Sequence, residues 1–93
     1  MTKRINKKLE YNTELLVVTM EECGELVQAC SKAIRKDNHR DNQLLKEEIG
    51  DVYAMIQLLV KFDIVSWDEL DERVKVKNKK LSKWSELIDD EET

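Results

Sequence analysis

No proline interrupts the 93 residues of this chain, and only two glycines occur in it. Both residue types break helices, so their scarcity commits the chain to long helical segments. Leu, Glu, Lys, Val and Ile recur in their place, which argues against a sandwich, a barrel or a glycine-rich mononucleotide fold. Hydrophobic residues make up 41% of the sequence and recur with a helical period, which excludes disorder. Charged residues make up 39%, against about 25% in an ordinary domain, so the helices carry much polar surface. The longest apolar run within the first long segment, Leu15 to Val18, falls far short of the roughly 20 residues that cross a bilayer. Lys3, Arg4, Lys7 and Lys8 lead into no apolar stretch, so no signal peptide is expected. These features predict an all-α, cytoplasmic protein of one domain over 1–93, with its core in about 13–84.

The apolar spacing predicts four helices. A short polar segment covers about 2–11, and Asn12 or Thr13 caps a longer helix reaching Lys36. Leu15, Val18, Leu26, Ala29 and Ala33 form its inward stripe. The run Asp37 to Asp41 has cap residues, charge and no apolar content, and reads as a loop holding the single histidine, His39. A third helix follows through Leu44, Leu45, Ile49, Val52, Met55, Ile56 and Leu59 to about Phe62. Ser66 and Glu69 form a capping-box pattern that opens a fourth, whose stripe continues through Leu70, Val74, Leu81, Trp84 and Ile88. Asp89 to Thr93 is an acidic tail. Cys23 and Cys30 are seven residues apart, about 10.5 Å along a helix, too far for a disulfide within the chain. Buried, reduced thiols are the expectation. Short connections make the second and third helices antiparallel neighbours, and their apolar surface exceeds what one chain covers. A homodimer or tetramer is therefore expected.

The acids fall in informative places. Glu22 and Glu25 step along the same face as Leu15, Val18 and Ala29, while Glu48 and Asp51 step with Leu44, Met55 and Leu59. Two carboxylates thus interrupt each inward stripe, whereas Glu21 and Glu47 lean outward by about 100°. Four carboxylates facing one another cannot all stay ionised without a counter-charge. Oxygen-only ligands of this kind suit Mg²⁺ or Mn²⁺, and a salt-bridge network to Lys32, Arg35 or Lys46 is the competing reading. A di-iron bundle would need Glu-x-x-His pairs, which His39 does not complete. Glu21-Glu22-Cys23-Gly24-Glu25 and Glu47-Glu48-Ile49-Gly50-Asp51 share one pattern, so both glycines sit at equivalent positions inside helices. Each costs about 1 kcal/mol relative to alanine, which points to close approach by a backbone or a ligand.

At these residues the chain resembles the MazG-like family of all-α nucleoside-triphosphate pyrophosphohydrolases. The paired motifs Glu22-Cys23-Gly24-Glu25 and Glu48-Ile49-Gly50-Asp51 carry the resemblance, which extends over about 13–84. It implies hydrolysis of a nucleoside triphosphate to the monophosphate and pyrophosphate, with Glu22, Glu25, Glu48 and Asp51 as metal ligands. It also decides for attack at the α-phosphorus over the γ-phosphorus. Phosphoribosyl-ATP pyrophosphohydrolases share the architecture, but their second motif usually continues into Tyr-His, where this chain has Val52-Tyr53-Ala54-Met55. A metal-stabilised helical interaction protein without turnover is the alternative of another class.

Further candidates follow from charge. Six positive residues and no acid lie between Arg73 and Lys83, in a chain of net charge −4. Arg73, Lys77, Asn78 and Lys80 are the candidates there for holding phosphate charge that a metal leaves uncompensated, with Lys32 as a further one. A solvated helix face is the competing reading of this stretch. Nucleic-acid binding has little support from one basic patch on a chain of pI about 5.1. Tyr53 is a candidate pocket residue. Glu25, and after it Glu21, are the candidates for accepting a proton from the attacking water.

Overall fold

A computed structural model describes residues 7–83, with side-chain placement from residue 12 onward. It contains three helices: α1 over Lys7–Lys36, α2 over Gln43–Lys61 and α3 over Trp67–Leu81. Every regular element among the described residues is helical, as the composition requires. One expectation fails: no boundary occurs at Asn12 or Thr13, because α1 runs unbroken through both. Asparagine and threonine are only mildly unfavourable inside a helix, and without Gly or Pro nothing there forces a stop. From Lys7 onward the expected first segment is the opening of α1, and its earlier residues lie outside the described ones.

The loops end the helices by specific chemistry. Asp37 takes φ 52°, and the amides of Asp37 and Asn38 donate to the carbonyls of Ile34 and Ala33 at 3.3 and 3.2 Å. This paired pattern closes α1 with a left-handed residue. Asp63, φ 62°, occupies the same kind of position after α2. Asn42 starts α2, its Oδ1 accepting from the Leu45 amide at 3.0 Å. Asn42→Ala is expected to lower stability by about 1 kcal/mol, read as a lower denaturant midpoint. The capping box expected at Ser66 is present: its Oγ accepts from the Glu69 amide at 3.1 Å, and Glu69 Oε1 accepts from the Ser66 amide at 2.9 Å.

The chain divides after Phe62 into two compact units, the first holding α1 and α2 and the second α3. In the first, α1 packs along α2. The buried apolar side chains among the described residues are Ala29, Ala33 and Met55. Two alanines four residues apart on one face let the helices approach closely, and Leu15, Val18, Leu26, Val52, Ile56 and Leu59 are half-buried around them. In the second unit, Leu70, Asn78 and Leu81 are half-buried and no residue of α3 is fully buried. The helix ends at Leu81 with Ser82 as its cap. Trp84, Ile88 and the acidic tail lie outside the described residues. No helix among the described residues is long and apolar enough to cross a membrane.

Cys23 and Cys30 are both exposed, not buried as expected. The reason is helical phase: Ala29 and Ala33 define the side of α1 that meets α2, and the cysteines lie on a different side.

Candidate active site at the α1–α2 seam

The paired acids do not all face inward. Glu22 and Glu48 are half-buried, whereas Glu25 and Asp51 are exposed. A step of three residues on a helix falls about 60° short of a full turn, so the second acid of each motif moves from the seam to its rim. Glu21 and Glu47 are exposed, as their phase predicts, and the Glu47 carboxylate accepts from Gln43 Nε2 at 3.4 Å.

The seam is electrostatically loaded. Glu48 is pushed up to about 7, first by desolvation, then by a hydrogen bond and charge repulsion from Glu25, then by Asp51 and Glu22. Desolvation also raises Glu22, with added repulsion from Glu25, Asp51 and Glu21. Glu22 and Glu48 therefore each feel the charges of Glu25 and Asp51, across the two helices. Glu22 Oε2 is shielded from solvent and has no hydrogen-bond partner. Among the described residues no lysine or arginine forms an ion pair with these acids, so the expected competitor, a network to Lys32, Arg35 or Lys46, is absent there. His39 instead lies 3.9 Å from Asp37 in the exposed loop.

These groups fit a divalent cation in donor chemistry: hard carboxylate oxygens in excess of local positive charge, one of them orphaned. Among the described residues no three acidic, histidine or cysteine side chains yet converge as a ready-made cage. Side-chain rotation would have to bring the rim acids Glu25 and Asp51 inward.

A concavity of about 240 Å³ adjoins the acids, lined by Glu25, Gln28, Ala29, Lys32, Leu44 and Glu48. Lys32, one of the expected phosphate-binding residues, thus shares a pocket with two motif acids. Gln28, and Leu44 from the stripe of Glu48, also line it, and neither is marked as functional by the acidic motifs. Gln28 lies midway between Glu25 and Lys32 on the same face, a spacing signal that could have found it. Tyr53 is exposed on α2 and does not line this pocket. Arg73, Lys77 and Lys80 are exposed on α3 and step by four and three residues, so they share one face. Asn78 is half-buried on the flank of that helix that carries Val74 and Leu81.

The glycines give a partial correction. A Cβ added at Gly24 or Gly50 would meet nothing within 4 Å. Close approach by this chain's own backbone therefore does not account for either.

Residues 10–83 match the family model of the MazG nucleotide pyrophosphohydrolase domain, a span that contains α2, α3, nearly all of α1 and both acidic motifs. Comparison with curated proteins gives no match, nor does comparison with solved structures. The all-α build, the twin motifs on adjacent helices and a match over most of the length agree. The chain belongs to the MazG nucleotide pyrophosphohydrolase domain family, generally dependent on divalent metal, and is a hydrolase acting on nucleotides.

Proposed function

We propose that the protein hydrolyses a nucleoside or deoxynucleoside triphosphate to the monophosphate and pyrophosphate, using Mg²⁺, or Mn²⁺ in its place. The carrying observation is the half-buried acid pair Glu22 and Glu48, mutually repelling and without a cationic partner among the described residues, beside a pocket that also contains Lys32. Glu22, Glu25, Glu48 and Asp51 would hold the ion. When bound, a divalent cation supplies charge compensation for phosphate oxygens and acidifies water. Glu25 accepts the proton of the attacking water, with the more outward Glu21 as its substitute. Oxygen attack at the α-phosphorus breaks the bond to the α–β bridging oxygen, which leaves with pyrophosphate. Lys32 neutralises a phosphate oxygen at the pocket. Arg73, Lys77, Asn78 and Lys80 are assigned to the remaining phosphate charge, and Tyr53 to the nucleoside. The test is a screen for pyrophosphate release over the common triphosphates with Mg²⁺. Release from at least one is expected, and silence across the panel at high protein concentration would overturn the assignment.

Two smaller predictions belong to this reading. Lys32→Ala is expected to raise KM about tenfold while kcat changes less, since one charge-assisted contact to phosphate is lost. Gly50→Ala is expected to stabilise the chain by up to about 1 kcal/mol, because the added methyl meets open space. If the bare Cα serves ligand approach, activity falls in the same variant.

The active form is read as a homodimer or a tetramer of two dimers. Its support is the small buried core set against the exposed apolar residues Leu16, Val17, Met20, Val27, Ile34, Ile49 and Phe62. Light scattering should give a multiple of 11.0 kDa at micromolar concentration, and a folded monomer there would contradict it.

A further inference from the structure

The concavity beside the acids has a direction. Residues 37–42 alone join α1 to α2, so the two helices run antiparallel. On α1, Glu25, Gln28 and Lys32 lie within about 60° of one another and climb about 10.5 Å from the first to the last. On α2, Glu48 meets Glu25 in a hydrogen bond. Leu44, one turn earlier in the chain, therefore lies toward the Lys32 end. The result is a trough with two carboxylates at one end, a lysine at the other, and Gln28 and Ala29 between them. Its volume of about 240 Å³ is below the roughly 300–1,000 Å³ of a site that encloses a whole small ligand. It takes part of a nucleotide.

The lining says which part. Lys32 shares the trough with two carboxylates and ion-pairs with neither, and Gln28 makes no side-chain hydrogen bond among the described residues. A cation and an amide donor in a row complement anionic oxygen. No aromatic side chain lines the trough, so a nucleobase finds no stacking surface there. Attack at the α-phosphorus puts that atom at the acidic end. Two arms leave it, the uncharged nucleoside and the anionic pyrophosphate, and the trough matches the second. Side-chain bonds in a helix tilt toward its N-terminus, so Lys32 reaches back toward Gln28 and the acids.

We propose that Gln28 and Lys32 hold the departing pyrophosphate in order, Gln28 donating to the β-phosphate and Lys32 pairing with the γ-phosphate, so that the trough selects triphosphates over diphosphates. A diphosphate anchored at the acids ends at Gln28 and leaves Lys32 without a partner. The inference rests on the reading of α-phosphorus attack and adds to it which arm lies where and what measures the length of the phosphate chain.

The test uses inorganic chains, which carry no base. Pyrophosphate and tripolyphosphate, each with Mg²⁺, are titrated calorimetrically into the full chain and into Gln28→Ala, Lys32→Ala and Lys32→Arg. Both positions are exposed, and helical circular dichroism checks that each variant is folded. Lys32→Ala should weaken tripolyphosphate about tenfold and pyrophosphate less than about twofold. Lys32→Arg should recover most of that loss. Gln28→Ala should weaken both chains about fivefold, as loss of one hydrogen bond to a charged group at an exposed rim. Equal losses for the two chains in Lys32→Ala would mean that Lys32 does not read the γ-phosphate, and overturn the inference. Tripolyphosphate binding that neither alanine variant changes would assign the trough to the nucleoside arm, and overturn it too. A wild-type chain that gives either result while releasing pyrophosphate from a triphosphate keeps the activity and loses only the inference. A chain that releases none loses the activity and the inference with it.

Discussion

Replacing Glu48 by Gln is expected to reduce turnover at least about 100-fold, more than loss of an outer-sphere contact to a metal ligand would, while leaving the metal-free fold as stable as before or more so. The second half of this expectation separates the account from a structural role. Glu48 is pushed up to about 7 by desolvation and by Glu25, Asp51 and Glu22, so the folded chain holds its proton more tightly than the unfolded chain does. A raised acid contributes stability that is fully present below the ordinary carboxylate range and is lost as pH rises through the folded value. Glu22 is raised for the same first cause and acts in the same direction. Metal-free protein should therefore melt at progressively lower temperature between about pH 5 and pH 8. Glu48→Gln, which cannot ionise, should flatten that decline. Were Glu48 a salt-bridge anchor, the variant would be destabilised at pH 8 and the wild type would gain stability with pH.

Adding Mg²⁺ to chelator-treated protein should reverse the decline. A ligand that binds only the folded chain stabilises it by about 2.7 kcal/mol at a hundred times its dissociation constant. For a chain of this size that corresponds to a Tm rise of roughly 10 °C or more. The rise should be larger at pH 8 than at pH 5, because protons compete for Glu48 and Glu22. It should shrink in Glu22→Gln and Glu48→Gln. Pyrophosphate release should vanish on chelation and return with the ion. A Tm unmoved by Mg²⁺ at both pH values would place the metal elsewhere or nowhere.

Much of this is legible in the sequence, for identifiable reasons. The helical class follows from the missing prolines, and the loop at Asp37 to Asp41 follows from cap residues without apolar neighbours. The Ser66–Glu69 box is a local hydrogen-bond pattern, so sequence alone carries it. Glu22 and Glu48 were findable because helical phase puts them among residues that must be inward.

The misreadings have separate causes. α1 has two apolar stripes, and the cysteines belong to the one that does not meet α2, although the inward stripe through Ala29 and Ala33 is read correctly. Ala29 and Ala33 won over Cys30 and Ile34 because small side chains permit a closer helix pair, which left both cysteines exposed. For Glu25 and Asp51, a phase difference of about 60° decides between seam and rim. Asn12 and Thr13 looked like caps by residue type, but a cap acts only where a helix must begin. Arg73, Lys77 and Lys80 were found as a charge run and prove to share one face of α3. Their assignment to phosphate remains part of the proposal.

Reaction in ¹⁸O-labelled water, with the products resolved by mass spectrometry, tests the central claim most directly. The account predicts one labelled oxygen in the nucleoside monophosphate and none in the pyrophosphate. Label in pyrophosphate, or inorganic phosphate with a nucleoside diphosphate as the products, would contradict it.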